Sequence, residues 1–478
     1  MVTKSPTSGR NHSPAILTAV LVFLAVESTA VASLGTPLLP TVEDAYHVSL
    51  SASQWTLTVT LLIGAIATPL MGRLGDGQLR RQTAIGAIAT MLAGCVLSAL
   101  PAGFIIFMAG RALQGVAFGL IPLATAVARD DLPAERSGST IALIGITTAA
   151  GIGLGYPLVG LLAQYMGLHA PFWLVAALTA LALAAAIAVL PESPARPARV
   201  DGLGTILLGL GIAGLLVVLG EGPSWGWLSA ATLVGVAVSI MLLGAWTGWE
   251  LRSRHPLIEL RLLRRHSVRA ANVTAFLIAV GFYPLMSLAV RYVQAPAETG
   301  YGFAAPVVVA GLMLTPFSLS SFAASKIAVS LARRSSAELV VAASCVVLIA
   351  SLVLFLLARS TYGEIVLAMA LNGFGVGCAY AVNPQQITGG VPANETGSAI
   401  SFYQLVRTVA YALGSALSAT LLLFYVPPGE EAPTNAGYST AALVCIAVLL
   451  GALLASTLFV VFREKPDPAS AGQRHPGE

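Results

Sequence analysis

The chain is 478 residues long, 56% hydrophobic and only 10% charged, with a formal net charge of +4 at pH 7 and a mean hydropathy of +0.84. Soluble domains carry about 25% charged residues, so this composition cannot clothe a water-facing surface. The small net charge, with no basic patch interleaved with aromatics, argues against a nucleic-acid partner. Cys95, Cys345, Cys378 and Cys445 lie in apolar runs without CxxC spacing, which argues against a disulfide or metal framework.

Apolar runs near 20 residues recur along the whole chain, each long enough to cross about 30 Å of hydrocarbon. Backbone in lipid must bond to itself, so the runs are read as helices. The first begins after Lys4 and Arg10, and Ala30-Val31-Ala32 has the look of a cleavage site. The stretch from Ala15 to Leu39 is too long for a signal's apolar core, however, and Glu27 interrupts it, so it is read as a retained helix. Fourteen spans follow, at 15–37, 53–71, 83–100, 103–127, 138–163, 171–190, 203–220, 228–247, 269–292, 304–325, 337–358, 364–385, 397–424 and 439–462.

Loop charge orients them, since cytoplasmic loops carry the arginines and lysines. Loops with Arg73, Arg80 and Arg81, with Arg129 and Arg136, with Arg196 and Arg199, from Arg252 to Arg269, and with Lys326, Arg333 and Arg334 alternate with loops bearing Glu43 and Asp44, Glu221, Glu298, or Glu430 and Glu431. Only Arg291 and Arg359 fall on the other side. An even number of spans with both termini cytoplasmic satisfies this alternation. Lys4, Lys326 and Lys465 are the only lysines, a bias consistent with a GC-rich bacterial genome. The run Pro256 to Arg265 suits either a short helix lying on anionic lipid or ordinary positive-inside bias.

The spans divide into a tail (1–14), a six-span bundle (15–192), two linking spans (193–248), a basic loop (249–268), a second six-span bundle (269–462) and a tail (463–478). The second span ends in Gly72-Arg73-Leu74-Gly75-Asp76-Gly77-Gln78-Leu79-Arg80-Arg81, and the second span of the later bundle ends in Lys326 through Arg333-Arg334. A repeated basic pair in corresponding places suggests two halves with a site between them.

The segment at Gly72 resembles the G-x-L-x-D-x-x-G-R-R signature of the major facilitator superfamily, with Leu79 in place of the usual glycine. Arg111-Ala112-Leu113-Gln114-Gly115 in the fourth span resembles its R-x-x-Q-G motif. Gly151, Gly155, Pro157 and Gly160 in the fifth resemble the glycine- and proline-rich motif of the antiporter branch, although Tyr156 separates the usual Gly-Pro pair. Two extra central spans, Glu27-Ser28-Thr29, Gln294 and the run Arg407 to Gly414 resemble the fourteen-span drug:proton antiporters, in which aspartate is common where this chain has Glu27. The resemblance implies an all-α major facilitator fold of two six-helix bundles plus two extra helices. It also implies a monomer in the bacterial cell membrane that exchanges protons for small amphipathic molecules without a cofactor.

Glu27 is the one acid deep inside a span. A charge there costs about 2.5–3.5 kcal/mol, so it should face a cavity and have a use. It fits a proton carrier or a fixed hydrogen bond to a neighbouring helix. Glu27 sits about ten residues inside one end of its span and Arg111 about eight inside the same end of the fourth, so at 1.5 Å per residue both lie about 12–15 Å deep. That places Arg111 as a counter-charge to Glu27, or as a structural group bonded to backbone or Gln114. Arg407 fits either a site for an anionic group or a helix brace. By the resemblance, Arg73, Asp76, Arg80 and Arg81 form a gate reaching acids or carbonyls of the other half; topology alone also accounts for the arginines. Gly115 and Gly119, Gly151 and Gly155, and Gly373 and Gly377 are small residues four apart that let helices approach closely. Trp55, Phe282, Tyr283, Asn372, Tyr380, Tyr403, Arg407 and Tyr411 are candidates to line a substrate cavity.

The sequence contains no HExxH, P-loop or paired intramembrane acids, so an enzyme or ATP-driven mechanism is not indicated. Uptake, lipid translocation and non-transporting sensing remain as alternatives to export.

Overall fold

The computed structural model describes residues 13–75, 78–192, 201–253, 256–391, 396–430 and 432–461, and among these it is helical with no strand. The helices in order are α1 (Pro14–Ser33), α2 (Leu39–Tyr46), α3 (Leu50–Gly75), α4 (Arg80–Ala99), α5 (Phe104–Gln114), α6 (Leu120–Asp131), α7 (Ala134–Met166), α8 (Ala170–Val189), α9 (Gly202–Trp225), α10 (Ala230–Arg252), α11 (His266–Phe282), α12 (Pro284–Gln294), α13 (Val307–Arg334), α14 (Ala337–Leu357), α15 (Tyr362–Gly390), α16 (Thr396–Leu423) and α17 (Asn435–Val461). Thirteen helical units among the described residues are long and apolar enough to cross a membrane. The 33-residue α7 packs among them as a further long helix.

Three expected spans are not single helices. The first, expected to run to 37, ends as α-helix at Ser33, and its unit continues beyond the expected end through α2, where Pro40 sits in the first turn. There its fixed φ suits a helix start. The fourth changes to a tighter 3₁₀ stretch over Gly115–Gly119 between α5 and α6. A Cβ on Gly115 would lie 2.5 Å from the Thr60 carbonyl of α3, so the break goes with a close backbone approach. The ninth divides at Pro284, which has no N–H to continue the ladder of α11. By contrast, α7 runs unbroken through Pro157.

The two halves meet along two pairs of helices. Between α7 and α13, a Cβ on Gly160 would lie 2.6 Å from Val307 O, and one on Gly311 2.5 Å from Tyr156 O. Between α3 and α16, Gln54 Nε2 donates to Ser415 Oγ at 2.9 Å, and the hydroxyls of Thr58 and Ser415 lie 3.0 Å apart. Helix α9 lies beside both α3 and α16: Thr420 Oγ1 donates to Leu219 O at 2.7 Å. Helix α10 packs on α9 and exposes Leu233, Val234, Ile240 and Met241, as a helix facing acyl chains would.

The Pro256–Arg265 segment is not a helix lying on lipid. It forms only a 3₁₀ turn at Leu260–Arg264, with Leu257 and Ile258 buried against the bundle. The Glu250 carboxylate accepts from Leu257 N and Ile258 N, both at 3.1 Å. Arg73 donates to Pro256 O at 2.5 Å and Leu257 O at 3.3 Å. Satisfying its backbone from the bundle side pins the linker inward. The 1–12, 193–200 and 462–478 segments lie outside the described residues. The four cysteines are free and buried.

Helix α15 lies so close to α13 that a Cβ on Gly373 would strike the Phe317 carbonyl and one on Gly377 the Ser321 carbonyl. Gly373→Val is expected to destabilise the protein by about 1–3 kcal/mol through overpacking, read as a lowered thermal midpoint in detergent. Gly86→Val, where a Cβ meets nothing within 4 Å, should leave the midpoint unchanged.

Candidate functional site

Glu27 is fully buried on α1. Its Oε2 lies 2.8 Å from Thr179 Oγ1 on α8, while Oε1 has no hydrogen-bond partner. Thr179 Oγ1 also lies 2.7 Å from the Val175 carbonyl, and a hydroxyl has only one proton to give. That proton can go to an ionised Glu27, or to Val175 while a protonated Glu27 donates to the hydroxyl. One rotation about the C–O bond therefore serves both protonation states. Thr179 is the single polar side chain of the twenty-residue α8, a signal readable in the sequence but missed there.

The expected Glu27–Arg111 pair does not form. Arg111 is 1% exposed and turned toward α3. Its Nε donates to Thr56 O at 3.3 Å and its Nη1 to Gln114 Oε1, while Thr60 Oγ1 donates to Arg111 O at 2.9 Å. Gln114 Nε2 continues to Gly94 O and Ser98 Oγ, both at 3.1 Å. The guanidinium finds carbonyl and amide oxygens on α3 and its own helix, whereas Glu27 turns to α8. The R-x-x-Q-G motif thus joins α3, α4 and α5.

The arginines of the expected gate also find other partners. Arg80 is 3% exposed and pairs with Asp130 at 3.0 Å and Asp131 at 2.7 Å, at the end of α6. Arg81 donates to Ile187 O at 2.6 Å and Leu190 O at 3.1 Å, at the carbonyl end of α8 where the helix dipole favours a cation. Arg73 holds the linker. The contacts named here lie within the N-terminal half or reach the linker. Asp76 lies outside the described residues.

A fastening between halves sits instead at the opposite end of the bundle. Arg291 of α12 pairs with Glu43 of α2 at 2.6 Å and donates to Ser53 Oγ of α3 at 2.9 Å; Ser53 in turn donates to Glu43. Gln294 Nε2 donates to Pro37 O at 3.4 Å. Charge counting set Arg291 aside as an exception to the loop asymmetry. A lone arginine within an apolar span, facing a loop acid on the same side, was the available signal.

The second half holds an aromatic cluster around Arg407 of α16. Its guanidinium carbon sits 3.9 Å above the Tyr380 ring of α15, its Nη2 donates to Tyr411 Oη at 2.8 Å, and its Nη1 donates to Gln404 Oε1 at 3.0 Å. Tyr411 stacks on Tyr283 at 5.0 Å and 23°, and the Phe282 ring centroid lies 5.9 Å from that of Tyr411 and 6.1 Å from that of Tyr380. Tyr403 is buried beside Arg407. Asn372 is fully buried, with both amide atoms unpartnered. Trp55 is not part of this cluster; it packs on Gly220 of α9. Gly155 meets Ser33 of α1 and Gly160 meets α13, while Gly151 lies in α7.

The sequence pattern of the Major Facilitator Superfamily matches residues 20–415 and, in a second alignment, 271–477. The chain belongs to this superfamily of transporters. The transporter is 30% identical over 319 residues to the tetracenomycin C resistance and export protein of Streptomyces glaucescens, covering 63% of this chain and 57% of that protein. It is 24% identical over 395 residues to multidrug resistance protein Stp of Mycobacterium tuberculosis, covering 80% and 71%. Among solved structures, the POT family transporter PepTSo matches with a TM-score of 0.67 at 16% identity, over 97% of this chain and all of that one, which shows a shared fold.

Breaking the Glu43–Arg291 pair should loosen its end of the transporter. A thiol placed at the buried Thr36 is expected to react with maleimide about tenfold faster in Glu43→Gln, equivalent to about 1.4 kcal/mol. The charge-swapped double variant Glu43→Arg, Arg291→Glu should return the rate toward that of the parent.

Proposed function

We propose that this transporter exports small amphipathic molecules in exchange for protons, with Glu27 carrying the proton. The observation that carries this reading is a fully buried carboxyl group whose one partner is a hydroxyl able to serve both its protonation states. A purely structural carboxylate at such depth would be expected to be met by a cation or by several donors. The printed names of two relatives, an antibiotic export protein and a multidrug resistance protein, favour export and this substrate class.

The positive-inside rule assigns the arginine-rich end to the cytoplasm, with both termini there. On that assignment, the Glu43–Ser53–Arg291 fastening lies outside. Its closure favours a state whose site communicates with the cytoplasm. Opening it requires the halves to rock apart there and to close around the other end. In this scheme proton binding at Glu27 and substrate binding bias the same equilibrium, each through its differential affinity for the two states.

Gradient-driven extrusion from proteoliposomes tests the reading. Glu27→Gln is expected to reduce pH-driven transport to the level of protein-free vesicles while retaining gradient-independent substrate exchange. Thr179→Ser should transport normally and Thr179→Val poorly, since only serine keeps the rotating hydroxyl. Undiminished pH-driven flux in Glu27→Gln would place the coupling elsewhere, and accumulation in place of extrusion would make the protein an uptake system.

A further inference from the structure

Among the described residues no carboxylate pairs with Arg407; Arg111 also lacks one, but its fork is met by the Thr56 carbonyl and the Gln114 amide oxygen. Arg80 has Asp130 and Asp131, and Arg291 has Glu43. Arg407 has Tyr411 and Gln404, both neutral, and the titratable groups within electrostatic reach are Tyr380, Tyr403 and Tyr411. A guanidinium stays protonated at working pH, so a full positive charge sits at membrane depth without an anion. Such a charge is costly unless a counter-ion comes to it.

Its position faces the other half. Ser415 bonds Gln54 and Thr58 of α3, and Tyr411 and Arg407 lie four and eight residues before it on the same stripe of α16. Arg407, Gln404, Tyr380 and Tyr411 are half-buried. Polar atoms beside it make no close hydrogen bond: Tyr380 Oη, Tyr403 Oη and both amide atoms of Asn383, which is fully buried, shares the Tyr380 face of α15 and lies near Tyr403. Unpaired buried polar groups are uncommon in folded proteins and call for an explanation. Here they surround a lone cation and flat aromatic faces. Stacked rings accept a planar ligand, the guanidinium takes a carboxylate or phenolate on its fork, and the free amide and hydroxyls take further oxygens.

We propose that this cluster is the substrate subsite of the transporter and that it selects planar aromatic acids, rings bearing a carboxylate or ionised phenol with additional oxygen groups. The assignment rests on the transport reading above for its physiological meaning, but binding can be measured without transport. Tyr411 and Gln404 occupy the guanidinium in the meantime and yield to the incoming anion.

The test is equilibrium binding to the purified full-length protein in nanodiscs at low salt, using three probes of one shape. These are 1-hydroxy-2-naphthoate, its neutral methyl ester, and the cation 2-naphthylmethylammonium. The anion is expected to bind about tenfold to a hundredfold tighter than the ester, as a charge-assisted bond in a partly buried site should provide, and the ammonium more weakly still. Arg407→Gln should erase the difference between anion and ester, and Arg407→Lys should keep part of it, with unchanged elution and thermal midpoint showing that both fold. Equal affinity for the three probes, preference for the ammonium, or no binding of the anion would overturn the proposal. Flux assays separate the two readings. Anion binding without any flux under a proton gradient would sink the exporter and leave this subsite standing. Gradient-driven extrusion of a cationic dye without anion binding would do the reverse.

Discussion

A carboxyl group enclosed by helices, with no cation against it among the described residues, is the constraint around which this protein is arranged. Glu27 has Thr179 and little else. Because the threonine hydroxyl can turn its proton toward the carboxyl or toward Val175 O, the site tolerates both charge states without rearranging a helix. An arginine partner would have favoured the ionised form too strongly for the proton carrier we propose. Arg111 is nearby in depth but is committed to Thr56 and Gln114.

Alternating access requires two sets of contacts between halves that are not made together. The structure has one set in place. Glu43, Ser53 and Arg291, Gln294 with Pro37, and Ser415 with Gln54 and Thr58 join the halves toward one end. At the arginine-rich end, Arg80 and Arg81 instead brace α4 against α6 and α8, and Arg73 clamps the linker that Glu250 also holds. Backbone contact at Gly160 and Gly311, without long side chains between, lets α7 and α13 slide with little repacking.

The all-helical class, the approximate number of spans and the buried acid were legible in the sequence, because lipid imposes long apolar runs and penalises lone charges. Side-chain partners were not. Depth along two helices placed Glu27 and Arg111 at one level, but depth says nothing of the angle at which each side chain leaves its helix, and here the two diverge. Motif grammar assigned Arg80 and Arg81 to a gate, whereas Asp130, Asp131 and the carbonyl end of α8 are nearer partners that only the fold brings together. The Tyr380, Tyr403, Tyr411 and Phe282 group was readable as polar or aromatic side chains at membrane depth. Trp55 had the same signature and faces α9, since composition cannot distinguish a helix face that meets the other half from one that meets a linking helix. The Pro256–Arg265 run has the composition of a surface helix, but Arg73 and Glu250 draw its backbone into the bundle.

The central claim is that Glu27 changes protonation within its buried site. Infrared difference spectra of the purified transporter, recorded between acid and alkaline pH, report this directly through the carbonyl stretch of a protonated carboxylic acid. The account predicts a pH-dependent band at the frequency of a buried, singly hydrogen-bonded carboxyl, lost in Glu27→Gln and shifted in Thr179→Val. The same band persisting unchanged in Glu27→Gln would contradict it.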